Sequence, residues 1–186
     1  DLHSFPTRRS SDLQLAISLN MIYRGRILNL RVDDVTVVNG ISKREIIEHN
    51  GGSVIAAVTK DNRMVMVRQF RKPAGKVLLE APAGKRDGNE ALIDTAIREL
   101  REETGYTARE MKLLTRMYTS PGYSTEVLGI FLATGITPGV SDPDENEALD
   151  VVHYPVRELV AMVMSGEIED GKSQAAILMA ARELGI

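Results

Sequence analysis

From Ile22 to Val38 apolar and polar residues alternate and many are β-branched, and Asn39-Gly40 then leads into the charged run Ser42 to Asn50. That pattern predicts an N-terminal antiparallel unit, a hairpin closed by a type I′ turn at Asn39-Gly40. Three short strands are expected next, over Ser53 to Thr59, Met64 to Phe70 and Val77 to Ala81, the first two joined by the polar turn Lys60-Asp61-Asn62-Arg63. From Glu90 to Thr104 the period changes. Ile93, Ala96, Ile97 and Leu100 recur at i, i+3, i+4 and i+7, which predicts a helix with those side chains on its core face, and Gly105 suits the left-handed position that ends it.

Strands are again expected over Met111 to Tyr118, Glu126 to Thr134 and Leu149 to Tyr154. Two helices close the chain, one opening at Pro155 and one with Ser173 as its N-cap. Strands and helices intermix without regular βαβ alternation, so the fold class is α+β. There is no internal repeat or low-complexity tract.

Composition narrows the chemistry. The 186 residues contain no cysteine, which excludes disulfides, thiolate metal sites and cysteine nucleophiles, and a reducing cytoplasm is the matching compartment. His3, His49 and His153 share no ligand-like spacing, so any metal would be a hard cation on oxygen ligands. The net charge of −3, with scattered Lys and Arg and no Trp, gives neither the basic footprint nor the stacking platform of a nucleic-acid binder. No apolar run reaches the roughly 18 to 20 residues of a membrane span. A small-molecule substrate is the expectation.

The segment Asp1 to Leu13, "DLHSFPTRRSSDL", has no apolar periodicity and no signal-peptide order. It resembles the translation of a common sequencing-library adapter and is read as a non-native, disordered segment. The remaining organisation is an N-terminal β unit over 14–50 and a second domain over 51–186.

Chemistry concentrates in "RELREETGY", Arg98 to Tyr106. At about 100° per residue, Glu99, Glu102 and Glu103 fan over the side away from Ile93, Ile97 and Leu100, with Glu99 and Glu103 stacked at i, i+4. Like charges at that spacing cost a few tenths of a kcal/mol, and acidic residues in a last turn meet the unfavourable end of the helix dipole. Arg98 and Arg101 offset part of this if the stretch is a solvated helix face. A divalent cation would offset more, and magnesium or manganese prefers such carboxylate oxygens. The run Asp142 to His153 lacks the mid-loop glycine and terminal glutamate of an EF-hand.

The spacing of Gly84, Glu90, Arg98, Glu99, Leu100, Glu102, Glu103 and Gly105 within Gly84 to Tyr106 resembles the Nudix box at all its fixed positions. Tyr106 departs from the usual aliphatic residue, a change that touches packing and not ligands. The resemblance runs from about Tyr23 to the C-terminus. It implies an α/β/α sandwich around a mixed sheet, preceded here by the antiparallel β unit, and hydrolysis of a nucleoside diphosphate linked to another moiety. By position it makes Glu99 and Glu103 ligands of Mg2+, with Mn2+ a possible substitute, and the Ala83 carbonyl a backbone ligand. Glu102 is implied as a further ligand or a water-orienting carboxylate, Arg98 as the residue that orients the glutamates, and Glu90 as the tie between loop and helix.

Segments outside the box, Leu78 to Lys85, Val67 to Pro73 and Ser120 to Glu126, resemble the ADP-ribose diphosphatase branch. That likeness implies Arg71 on the substrate diphosphate, Pro121 in substrate binding, and a general base from the acidic loop Asp144 to Glu147. Glu145 matches the base position and Glu147 a metal-contacting one, with the base left open between them. The branch further implies a homodimer whose N-terminal unit mediates dimerisation and contributes to the partner's site. A GDP-mannose or other nucleotide-sugar diphosphatase is the rival enzyme, and a non-catalytic nucleotide sensor the rival of a different class.

Overall fold

The computed structural model describes residues 14–141 and 149–186. Asp1 to Leu13 and the Glu145 and Glu147 positions lie outside the described residues. The chain forms two compact units.

The first unit comprises the described residues up to His49 together with Ser120–Glu126. Its sheet is an antiparallel meander of β1 (Ala16–Arg24), β2 (Leu28–Val37) and β3 (Gly40–His49). The alternation that begins at Ile22 is therefore divided between two strands. The chain turns at Gly25, whose N–H donates to the Leu28 carbonyl at 3.0 Å. A Cβ on Gly25 would stand 2.6 Å from the Tyr23 ring and 2.8 Å from the Leu28 oxygen, so a side chain cannot make this turn unchanged. The β2–β3 hairpin forms as expected, with Val37 opposite Gly40, but its turn is not type I′. That type needs positive φ at both central residues, whereas the loop residues here are Val38 and Asn39 and the described non-glycine residue with positive φ is Asn62. Ser120–Glu126 joins this unit through β3: the Ile47 N–H donates to the Tyr123 carbonyl at 2.7 Å and the Thr125 N–H to the Ile47 carbonyl at 2.9 Å.

The second unit is built on β4 (Gly52–Ala57), β5 (Arg63–Arg71), β6 (Lys76–Glu80), β7 (Ala83–Lys85), β8 (Glu110–Tyr118), β9 (Val127–Thr134) and β10 (Asp150–Pro155). Three helices complete it: α1 (Leu92–Thr104), α2 (Val156–Met164) and α3 (Gly171–Leu184). One sheet runs β7-β4-β9-β8 and is mixed, because β4 and β9 are parallel while the other neighbours are antiparallel. The other runs β10-β5-β6 and is antiparallel.

Strand β4 shows why this unit is layered. All six of its residues are buried, and successive side chains point to opposite faces. Val54 and Ala56 enter a cluster with Leu159 of α2 and Ala176, Ile177 and Ala180 of α3. Ile55 and Ala57 enter a second cluster with Ala96 and Leu100 of α1. A strand with helices on both faces is the α/β/α sandwich expected from the sequence. The third helix starts earlier than expected: Asp170, not Ser173, is its N-cap, and the Asp170 carboxylate accepts the Ser173 N–H at 3.0 Å.

Candidate active site

The site grows from the pairing of β4 with β7, the strand that leads into the loop before α1. Gly52 and Ser53 pair with Lys85 and Gly84, so β7, absent from the sequence reading, fixes the start of the box. The Asn50 side-chain amide donates to the carbonyls of Arg86 at 3.0 Å and Gly88 at 2.7 Å. Arg86 Nε in turn donates to the Glu90 carbonyl at 2.7 Å. Helix α1 has no side-chain cap at Ala91, but the Ser53 hydroxyl donates to the Leu92 carbonyl at 2.6 Å and anchors its first turn to β4. At the other end Gly105 has φ 75° and its N–H donates to the Arg101 carbonyl at 2.8 Å, as the sequence predicts.

The orientation of α1 differs from the sequence expectation. Its buried residues are Thr95, Ala96, Leu100, Glu103 and Thr104, while Ile97 is 53% exposed and Ile93 is also exposed. The core face is rotated away from the two isoleucines toward the glutamates. Glu103 is only 4% exposed, and its carboxylate accepts the Ala83 N–H at 3.0 Å. Glu99 lies against Gly84 so closely that a Cβ there would stand 1.9 Å from its carboxyl carbon. A side chain at this position would displace the Glu99 carboxylate.

Arg98 holds the carboxylates together. Its Nη1 donates to Glu99 at 2.7 Å and Glu102 at 2.9 Å, and its Nε and Nη2 donate to Glu90 at 3.2 and 3.0 Å. Nη2 also reaches the Lys85 carbonyl at 3.0 Å. These hydrogen bonds, led by those to Glu90, hold the guanidinium above its ordinary range. Reciprocally, Arg98 first, then Thr95 and the Asp87 N–H, bring Glu90 down to about 2 against the opposing effect of burial. Glu90 thus touches both the Asp87 backbone of the loop and Arg98 of the helix, and Arg98 touches three of the carboxylates.

Arg71 stands at the end of β5 and makes a bidentate pair with Glu80 of β6, both bonds 2.7 Å. Its pKa is raised chiefly by those bonds, with the negative charges of Glu80, Glu103 and Asp170 adding to them. Arg71 therefore lies in the field of the box carboxylate Glu103. Pro121 lies in the turn Ser120 to Tyr123 of the first unit, where the Tyr123 N–H donates to the Ser120 carbonyl at 3.1 Å. Tyr106 makes a packing contact, as expected: its hydroxyl meets His153 Nε2 at 2.9 Å across an edge-on ring pair.

The NUDIX domain matches residues 49–176. The chain belongs to the NUDIX family. Over 164 residues it is 40% identical to an ADP-ribose pyrophosphatase of Bacillus subtilis (strain 168), covering 87% of this chain and 89% of that protein. It is 38% identical, with the same shares covered, to a methanol dehydrogenase activator of Bacillus methanolicus. The crystal structure of an ADP compounds hydrolase has a TM-score of 0.80 and 20% identity, and the match covers 96% of this chain and 97% of that one. At that identity the likeness shows the NUDIX fold.

Among the described residues, no group of three or more His, Asp or Glu side chains forms a ready metal cluster. The donor chemistry fits a hard cation nonetheless. The Glu99 carboxylate lies against Gly84 and the Glu103 carboxylate accepts the Ala83 N–H. All the side-chain donors are oxygens, the set that suits magnesium or manganese.

Sequence reasoning missed the buried group beside this site. Glu80 is fully buried between Arg71 and Lys172, and Ser173 Oγ accepts the Ala81 N–H at 2.7 Å. The available signal was a lone acidic residue at the end of the apolar run Val77 to Leu79.

Proposed function

We propose that the protein hydrolyses the diphosphate of a nucleoside diphosphate sugar in a divalent-metal-dependent reaction, with ADP-ribose as substrate and AMP and ribose 5-phosphate as products. The observation that carries this reading is the inward turn of α1, which holds Glu99 and Glu103 over the Ala83-Gly84 backbone. The 40% identity to an ADP-ribose pyrophosphatase supports the choice of substrate.

Glu99 and Glu103 would hold the metal, with the Ala83 carbonyl beside them and Glu147 as a further contact from the acidic loop. Mg2+ is the proposed ion and Mn2+ its substitute. Such an ion neutralises diphosphate charge and lowers the pKa of a bound water. Arg98 keeps the box carboxylates charged and oriented, and Glu102 serves as a further ligand or orients water. Arg71 binds the diphosphate with its guanidinium fork, and Pro121 shapes substrate binding. Glu145 or Glu147 accepts the proton of the attacking water. Water adds across one P–O–P link, the hydroxyl going to one phosphorus and the proton to the departing phosphate.

The assembly proposed is a homodimer in the cytoplasm, formed through the N-terminal unit. Support comes from β1, whose Ile17, Leu19, Ile22 and Tyr23 side chains are all exposed in a single chain.

A substrate panel tests the reaction. ADP-ribose, GDP-mannose and other nucleotide sugars are incubated with Mg2+ or Mn2+, and products are resolved by chromatography with Glu103→Gln as control. AMP and ribose 5-phosphate from ADP-ribose, lost in the variant, is the expected result. Preferred cleavage of GDP-mannose would move the substrate to the rival enzyme. Binding of nucleotide without hydrolysis would make the protein a sensor.

A further inference from the structure

Glu80 is an expensive residue to bury, because a carboxylate removed from water must recover its hydration from protein partners. Its side chain is 1% exposed. Two cations meet it: Arg71 through Nε and Nη2, and Lys172 from the first turn of α3. Burial raises its pKa, but the Arg71 hydrogen bonds and the Lys172 charge more than offset this and leave it below the usual carboxylate range. Lys172 is itself fixed by Asp170 at 2.9 Å, and the Asp170 carboxylate also receives the Ser173 N–H.

The register explains the direction of the Arg71 side chain. Val67 stands opposite Glu80, so Val67, Gln69 and Arg71 share its face, and the Arg71 side chain lies back along that face. The carboxylate occupies the Nε–Nη2 edge of the guanidinium. Among the described residues no hydrogen bond engages the Nη1 edge, which can take another acceptor, and the side chain retains 38% of its exposure. Glu103 pulls electrostatically on the same guanidinium. Asp170, the N-cap of α3, pulls on it as well.

We propose that Glu80 is a positioning residue for Arg71: with Lys172 as its second cation, it fixes the guanidinium by its Nε–Nη2 edge and presents the Nη1 edge to the substrate diphosphate. This rests on the diphosphatase reading. It assigns to α3 a part in substrate binding, since Asp170, Lys172 and Ser173 hold both Glu80 and the Ala81 backbone that leads into the box.

The test is a double-mutant cycle of Glu80→Gln and Arg71→Ala, with KM and kcat measured for ADP-ribose with Mg2+ and folding checked by circular dichroism. Glu80→Gln is expected to raise KM about tenfold with kcat changed less than about twofold, and to add nothing in the Arg71→Ala background. Full additivity of the two changes, or an unchanged KM in folded Glu80→Gln, would overturn the proposal. Lys172→Met provides a milder perturbation if Glu80→Gln does not fold; it is expected to raise KM in the same direction, again only when Arg71 is present, and an additive effect overturns the proposal equally. If wild-type protein hydrolyses no diphosphate, the reaction reading fails. ADP affinity by calorimetry across the same variants then decides positioning: non-additive losses sustain it, and additive or absent losses overturn it.

Discussion

Two groups of acidic side chains lie in the second unit, and they are balanced differently. At Glu80 one buried carboxylate meets two cations, Arg71 and Lys172. At the box one guanidinium, Arg98, serves Glu90, Glu99 and Glu102, while Arg101 reaches Glu102 at 3.7 Å from the solvent side. In the first group the carboxylate is buried while Arg71 keeps contact with solvent; in the second three carboxylates share one guanidinium, and Glu103 beside them accepts the Ala83 N–H. The cation-rich group contributes to fold and aim, whereas a cluster of carboxylate oxygens around one guanidinium has the chemistry that suits a hard cation.

The largest expected effect separates the two groups by chemistry. Glu103→Gln keeps size and loses charge, and should cost about 3 kcal/mol or more of transition-state stabilisation in kcat/KM while the thermal midpoint stays close to wild type. Near-normal turnover with Mg2+ would remove Glu103 from the metal set. Glu80→Ala should show the reverse weighting. Leaving Lys172 and Arg71 without their buried partner is expected to cost about 3 kcal/mol of stability in urea unfolding; a loss under about 1 kcal/mol would mean that the cations find water or other partners readily.

Acid sharpens the comparison further. Glu90 is lowered from 4.5 to about 2, chiefly by Arg98, so its contribution to stability is full above about pH 4.5 and is lost as pH falls toward 2. Glu80 is also lowered and acts in the same direction. Unfolding free energy should therefore decline through that window, and Glu90→Gln should flatten the decline; an identical pH profile in the variant would show that the tie is not electrostatic. The smallest effect is expected on the outer face of α1. Ile97→Ala should change stability by less than about 0.5 kcal/mol, whereas Leu100→Ala should cost about 2 kcal/mol or more. Equal costs would restore the isoleucines to the core.

Legibility in the sequence followed the same division. The box was readable because its residues are adjacent in sequence and carry charge at fixed spacing, and β4 and α1 follow from their own periods. What periodicity misjudged was the rotation of α1: Ile93 and Ile97 look like core residues until the Ala83-Gly84 backbone is placed against Glu99 and Glu103. That backbone belongs to β7, three residues long and too short to leave a pattern. The Asn39-Gly40 pair marked the hairpin correctly but not its turn, because strand pairing placed Gly40 opposite Val37 and put the loop at Val38-Asn39. The Glu80 group unites residues 71, 80 and 172, a spacing that only the fold brings together.

The most direct measurement is Mn2+ binding followed by electron paramagnetic resonance in the wild type and in Glu99→Gln, Glu103→Gln and Glu80→Gln proteins. Tight binding to wild type, loss of that site in both box variants, and retention in Glu80→Gln are expected. Mn2+ affinity unchanged by Glu99→Gln and Glu103→Gln would contradict it.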